Sequence, residues 1–343
     1  MVTETFTTDT DWTVPDGVFN ITVEIEGEAG EEDYTGDSPG GPGGRVVGEL
    51  TDVRPGDVYS LRFGGGASGG QGEFGKAGDG GDAADIRPEN GSLSDRLAVA
   101  AGGGGGARGD GDPAGGAGGP DTGADGQTAN DSGGEGGEGG GGGSQSSGGL
   151  GGTSYNTADG EDGGFGDGGA GASDDFERGG GGGGGGYYGG GGGGAASEDT
   201  QGGGGGGGGG GSNYDDGLDS VTANERSTST RTNGQGGLVT ITYEQTPGAE
   251  NLAITNTTAT SNTLAWDAPT LPPEVDSVEQ YRVYRDTDPG TVRADYTQIA
   301  TTPTPGFEDV GLENGTEYHY RIGADLFVPE AEGTITITDF RGV

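Results

Sequence analysis

Ten consecutive glycines at Gly202–Gly211, eight at Gly179–Gly186 and six at Gly189–Gly194 leave this chain few ways to fold. Of its 90 glycines, 82 precede Tyr243, in runs broken by short polar or aromatic islands. Glycine inside a helix costs up to about 1 kcal/mol relative to alanine, which disfavours helix throughout the runs. Leucine occurs within residues 102–235 only at Leu150 and Leu218, so no apolar helical stripe is present either. A polyproline-II-type conformation suits the runs better. It has three residues per turn and rises about 3.1 Å per residue, so Gly202–Gly211 would span roughly 31 Å. Runs without side chains can approach closely and exchange backbone hydrogen bonds. No sustained Gly-X-Y period exists, which excludes a collagen triple helix. Each ordered residue loses roughly 1–2 kcal/mol of backbone entropy, which lateral bonding must outweigh. An ordered bundle and a disordered spacer therefore both stay open for residues 107–235.

Charge narrows the setting. Acidic residues number 57 against 15 basic, a formal net charge of -42, and only 27% of residues are hydrophobic. This field argues against nucleic acid and anionic membranes as partners. Such a composition fits either disorder or life in concentrated salt, where the Debye length is about 3 Å at 1 M. Residues 1–243 hold 40 acids and 10 bases, and residues 244–343 hold 17 and 5. Charge spread over both segments favours a halophilic source. Lys76 is the only lysine, and cysteine is absent. The acidic start, Met1-Val-Thr-Glu4, does not read as a signal peptide, and no stretch approaches 18 apolar residues. The expected setting is the cytoplasm or a virus particle assembled there and displaying the chain on its surface.

The rest reads as all-β. Ile21, Val23 and Ile25 alternate on one strand face, with Trp12 and Val14 before them. Further strand signals are Gly43–Leu50, Val58–Phe63, Ala83–Ile86, Arg96–Ala101 and Leu238–Tyr243. If the last pairs with the first, the glycine region is an insertion whose closure cost grows slowly with length. Beyond Glu250, Trp266, Tyr281, Tyr318 and Tyr320 mark short strands, and residues 333–338 alternate strictly, as in a β-sandwich. The expected domains are residues 1–243, 244–249 as linker, and 250–343. Within the first, residues 1–101 and 236–243 would form a β-framework around a polyglycine region at 102–235. The expected core is Trp12, Ile21, Val23, Ile25, Trp266, Tyr281 and Tyr318.

Phe6…Trp12-Thr-Val-Pro-Asp-Gly17…Ile21-Thr-Val-Glu-Ile-Glu-Gly27 resembles the opening of a family of glycine-rich domains. The family recurs in bacterial surface proteins, phage tail adhesins and the extracellular part of certain animal receptor tyrosine kinases. The likeness continues through Gly43–Leu50, Val53-Arg-Pro-Gly-Asp57, Leu97–Gly102 and Gly236–Tyr243 and covers residues 5–243. It implies packed polyglycine-II-type helices on a β-framework, with loops at the helix ends contacting the host in the adhesins. Glu28-Ala-Gly-Glu-Glu-Asp33 departs from the unbroken glycines expected there. Residues 250–343 resemble a fibronectin type III domain. Trp266 matches its core tryptophan, and Leu312-Glu-Asn-Gly-Thr-Glu-Tyr318 matches the approach to its tyrosine corner. That likeness implies a spacing or attaching module.

Tyr187-Tyr188, flanked by eight and six glycines, is the foremost surface candidate, with Tyr155, Phe165, Phe176 and Tyr214 in similar islands. These rings either anchor an interface at loop tips, with Tyr187 and Tyr188 exposed, or cover the sides of the bundle. Asp79, Asp82, Asp110, Asp112, Glu135 and Glu138 match no calcium loop. Asn20, Asn90, Asn130, Asn256 and Asn314 head Asn-x-Ser/Thr triplets, which matter only where the chain meets a glycosylation system. The one histidine, His319, has no nucleophile or metal-ligand partner in sequence, so neither catalysis, a metal nor a cofactor is expected. The expected function is a virion surface adhesin or spike component of a haloarchaeal virus, as a homo-oligomer or in multiple copies on the particle. Its partners would be other virion proteins and a host surface glycoprotein or glycan. A purely structural capsid-turret or tail subunit and a halophile cell-surface protein are the alternatives.

Overall fold

The computed structural model describes all residues except 16–17, 19, 52, 55, 74, 110, 130–135, 155–157, 174–177, 197–204, 229–235, 245–248, 270–276, 288–295, 328–340 and 343. It is an all-β protein whose single described helical element is the 3-10 turn Leu93–Asp95. Its strands are β1 (Val2–Phe6), β2 (Thr10–Thr13), β3 (Asn20–Glu26), β4 (Gly44–Thr51), β5 (Val58–Gly64), β6 (Gln71–Gly72), β7 (Gly75–Lys76), β8 (Ala83–Pro88), β9 (Ala98–Ala100), β10 (Ser220–Arg226) and β11 (Leu238–Tyr243). Beyond them come β12 (Glu250–Thr257), β13 (Ser261–Asp267), β14 (Ser277–Asp286), β15 (Thr297–Thr302), β16 (Phe307–Val310), β17 (His319–Phe327) and β18 (Arg341–Gly342).

Two antiparallel sheets, ordered β1-β11-β3-β4-β10 and β2-β5-β8-β9, enclose the first core. Ile21, Val23 and Ile25 of β3 enter it on alternate positions, as the period-two geometry of a strand requires. Trp12, Val46, Leu61, Ile86, Val239 and Ile241 meet them there. β11 pairs with β3 from Leu238↔Glu26 to Tyr243↔Ile21, which brings the two ends of the glycine region together. One strand lies where the sequence predicts only polyglycine. β10, inside residues 102–235, pairs with β4 at the sheet edge. Its burial pattern is largely exposed, so it carries no apolar face by which to recognise it.

The strands continue directly into the glycine runs. β3 leads into residues 27–33, β5 into 65–70 and β9 into 101–107; the segments 39–43 and 77–82 run back into β4 and β8. The bundle therefore also takes in segments that the sequence assigns to the framework. Within it, hydrogen bonding repeats every three residues. Gly180, Gly183 and Gly186 donate to the carbonyls of Ala172, Gly169 and Gly166, Gly181 and Gly184 to Gly206 and Gly209, and Gly182 and Gly185 to Gly78 and Gly81. Carbonyls of the same run accept from Ala67 and Gly70, from Gly102 and Gly105, and from Gly190 and Gly193. This run thus bonds to six neighbours, as do residues 189–194 and 205–211. A Cβ at Gly183 would lie 2.1 Å from the Gly190 carbonyl oxygen, and one at Gly208 would lie 2.0 Å from that of Gly182. Only glycine fits at that spacing.

Outer runs relax the requirement. In Gly27–Asp33 every third residue (Gly27, Gly30, Asp33) is buried, and Glu28, Glu31 and Glu32 face outward or sit at the edge. Gly103 and Gly106 still donate to the carbonyls of Glu28 and Glu31 in the three-residue register. The acidic departure at Glu28–Asp33 is thus accommodated without loss of hydrogen bonding.

The C-terminal unit has a three-stranded sheet, β12-β13-β16, and a four-stranded sheet, β15-β14-β17-β18. Leu264 and Trp266 of β13 pack with Tyr281 and Val283 of β14 and with Tyr320 and Ile322 of β17. Tyr318, just before β17, is half-buried against this core. The alternating residues 333–338 lie outside the described residues. Among the described residues no helix is long and apolar enough to cross a membrane.

Candidate functional site

The two ends of the glycine bundle differ in what they carry. At the end nearest the β-framework, the turns at 164–168, 186–189 and 211–214 converge. Tyr187 donates its N–H to Ser212 O at 2.8 Å, and Ser212 returns one to Tyr188 O at 3.0 Å. Tyr214 is tied to Val99 of β9 by bonds of 2.8 and 2.9 Å. Four rings are thereby brought together. Tyr187 and Tyr214 stack with centroids 4.2 Å apart at 10°, while Phe165 meets Tyr187 at 5.3 Å and Tyr188 at 5.1 Å edge-on. Such pairs contribute about 0.5–1.5 kcal/mol each beyond area burial.

Arg96 completes the cluster. Its guanidinium lies 4.7 Å from the Phe165 ring centre and donates to the carbonyls of Gly186 at 2.9 Å and Tyr187 at 3.0 Å. Burial lowers its pKa, and the neighbouring Asp85 opposes that shift. Burial likewise raises the Tyr214 phenol, helped by Tyr187, Asp216 and Asp215. Tyr187, Tyr188, Phe165 and Tyr214 are all half-buried. Of the two placements the sequence leaves open, Tyr187 and Tyr188 are half-buried in this cluster rather than fully exposed. Ring stacking and the Arg96 clamp draw them inward, although no hydrogen bond engages the three tyrosine hydroxyls among the described residues. Tyr155 and Phe176 lie outside the described residues. Arg96 escapes sequence reading because a single cation before a strand carries no pattern.

At the opposite end, Tyr34 is 56% exposed. Its N–H donates to Lys76 O at 3.2 Å, and Arg108 donates to its hydroxyl while stacking 5.2 Å from its ring centre. The buried Asp33 carboxylate accepts from the N–H groups of Asp37 and Ser38, which shapes this turn.

Polar side chains, all but one of them acidic, close the flanks. Asp82 accepts from Gly66 N–H at 2.9 Å and Asp79 from Gly69 N–H at 2.7 Å. Asp125 and Thr128 do the same for Gly142 and Gly139, and Asp162 and Asp159 for Gly151 and Ser154. Each pair is spaced by three and meets an antiparallel partner spaced by three, so the side chain stands in for the carbonyl of a missing neighbour. A cleft of about 310 Å³ lies beside Glu28, Glu31, Asp79 and Asp82. Among the described residues, no group of three or more His, Cys, Asp or Glu is arranged to hold a metal ion. His319 lies 3.9 Å from Glu317 at the start of β17. No protein-family model and no curated protein matches the chain.

Proposed function

We propose that the chain is a non-enzymatic attachment protein: a surface adhesin or spike component of a haloarchaeal virus particle. In this reading the glycine runs are polyglycine-II-type helices, and residues 250–343 are a fibronectin type III-like module that spaces or anchors them. The observation that carries it is the three-residue hydrogen-bond repeat linking each central run to six others, continuous with strands of the framework. A bundle so held is stiff, and its turns at the end away from the framework are displayed on a fixed base. The module reading is supported by the sheet order of the C-terminal unit and by the Tyr318 hydroxyl, which accepts from Glu313 N–H at 3.1 Å as a tyrosine corner does. The halophilic setting rests on acidity spread over both segments.

A purely structural virion subunit is the second reading, favoured by the self-packed aromatic cluster. Soluble protein added to host cells in concentrated salt separates the two. An attachment protein competes with particles for adsorption, and a protein that leaves adsorption unchanged at saturating dose is not one.

A further inference from the structure

Eleven asparagines are present, and five head the triplet Asn-x-Ser/Thr. Ser and Thr make up 55 of 343 residues, so about two such triplets would arise by chance. The structure divides the eight asparagines among the described residues the same way. Outside the triplets, Asn213, Asn224, Asn251 and Asn262 all use their side chains. Asn213 bonds to Ala101 N–H and to Asn224, Asn224 to Asp215, Asn251 to Asp267 and Asn262 to the Tyr320 hydroxyl. Within the triplets, Asn20, Asn90, Asn256 and Asn314 are exposed, and their carboxamides engage no partner among the described residues. Asn130, and Asn156 and Asn233 from outside the triplets, lie beyond the described residues.

Asn90 and Asn314 are the best presented. Asn90 sits at φ 57° in a turn closed by Gly91 N–H to Pro88 O at 2.9 Å. Asn314 precedes Gly315, at φ 85°, in a turn closed by Thr316 N–H to Glu313 O at 3.2 Å. Both stand on β-units rather than between glycine runs, where no branched substituent would fit.

We propose that Asn90 and Asn314 are acceptors for N-linked glycans. The co-substrate is a lipid-phosphate-linked oligosaccharide supplied through a transferase that reads the hydroxyl residue two places on, Ser92 or Thr316. The carboxamide nitrogen bonds to the anomeric carbon of the sugar and gives up one proton, by way of a transferase base, to solvent or the departing phosphate. The bond from that carbon to the phosphate oxygen breaks, and the lipid phosphate leaves with its electron pair; nothing is oxidised or reduced. This inference is independent of the attachment reading. Occupied sites would favour export to a cell surface over assembly in the cytoplasm.

The test is peptide mass spectrometry on protein isolated from its native producer. Peptides spanning Asn90 and Asn314 are expected to carry sugar mass increments, lost in N90Q and N314Q and also in S92A and T316A, which keep the asparagine. An unchanged thermal midpoint in these variants, measured on recombinant protein, shows that the fold persists. Unmodified peptides overturn the proposal. So do peptides altered only by deamidation to aspartate, a change to which Asn-Gly turns are prone and which persists in S92A and T316A.

Discussion

The glycine bundle and the C-terminal unit solve the same problem by opposite means. In the C-terminal unit, Trp266, Tyr281, Tyr320 and Ile322 exclude water from between two sheets, and side-chain burial opposes chain entropy. The centre of the bundle has no side chains to bury. Its runs come so close that a Cβ would meet a carbonyl at about 2 Å, and every backbone group of Gly180–Gly185 that donates finds a partner. One unit is damaged by loss of volume, whereas the centre of the other has no room for added volume. Displacing one central run of the bundle would break hydrogen bonds to six others.

The sharpest way to break this contrast is to add atoms where the bundle has none. Gly183→Val places branched carbon on the Gly190 carbonyl, 2.1 Å from the first added atom. We expect a loss above about 4 kcal/mol, beyond the ordinary range for point changes. Hydrogen exchange in about 3 M salt should show protection vanish across residues 179–194 while β13 and β14 keep theirs. Gly164→Ala is the control. Its Cβ has only Asp167 O nearby, at 3.8 Å, so we expect a change within about 1 kcal/mol. Equal damage from both would show that the bundle is not held by close approach. Removing atoms tests the other unit. Trp266→Ala should cost about 3–5 kcal/mol and expose β13, β14 and β17 to exchange, leaving Gly179–Gly194 protected.

The two regions also differ in how far sequence reveals them. Apolar alternation in Ile21-Thr-Val-Glu-Ile25 and the aromatics Trp266 and Tyr281 are local patterns, and those side chains are buried. The glycine runs announce an unusual backbone but not its register. Which carbonyl faces Gly183 depends on how segments from residues 67 to 209 lie side by side, and no short window encodes that. Arg96, Tyr34 and β10 were illegible for the same reason: each acquires its role from partners distant in the chain. The aromatic islands are visible as residues, but their packing on one another is not, so the sequence leaves exposed tips and side-covering rings both open. In the sequence the acidic residues point only to disorder or concentrated salt. Several instead serve as hydrogen-bond acceptors for the bundle flanks.

That last point offers a finer test of how the bundle ends. Asp125→Ala removes the acceptor at 2.8 Å from Gly142 N–H and should cost about 1 kcal/mol, the usual worth of one such bond. Asp125→Asn keeps a carbonyl oxygen in place and should cost clearly less. The pair can be compared by denaturant midpoint at fixed high salt. If Asn and Ala behave alike, the carboxylate is only surface charge and the flank needs no substitute carbonyl.

A last test, silent at neutral pH except for one hydrogen bond, lies where side-chain packing and hydrogen bonding meet in the framework that holds the bundle. Tyr243 is buried in the first core, and its hydroxyl donates to Glu4 at 2.7 Å. Burial first, and the Glu4 bond second, push its phenol from 10 to about 12. The sign follows from linkage. Below pH 10 the phenol is neutral whether the chain is folded or not, and its contribution is fully present. Between pH 10 and about 12 the unfolded chain ionises while the folded one does not, so stability falls through that window. Tyr243→Phe removes the titrating group and should flatten this part of the pH profile, at the cost of the Glu4 bond at neutral pH. An unchanged slope in the variant would mean that other groups set the alkaline limit and that the β1–β11 edge is not where the framework gives way.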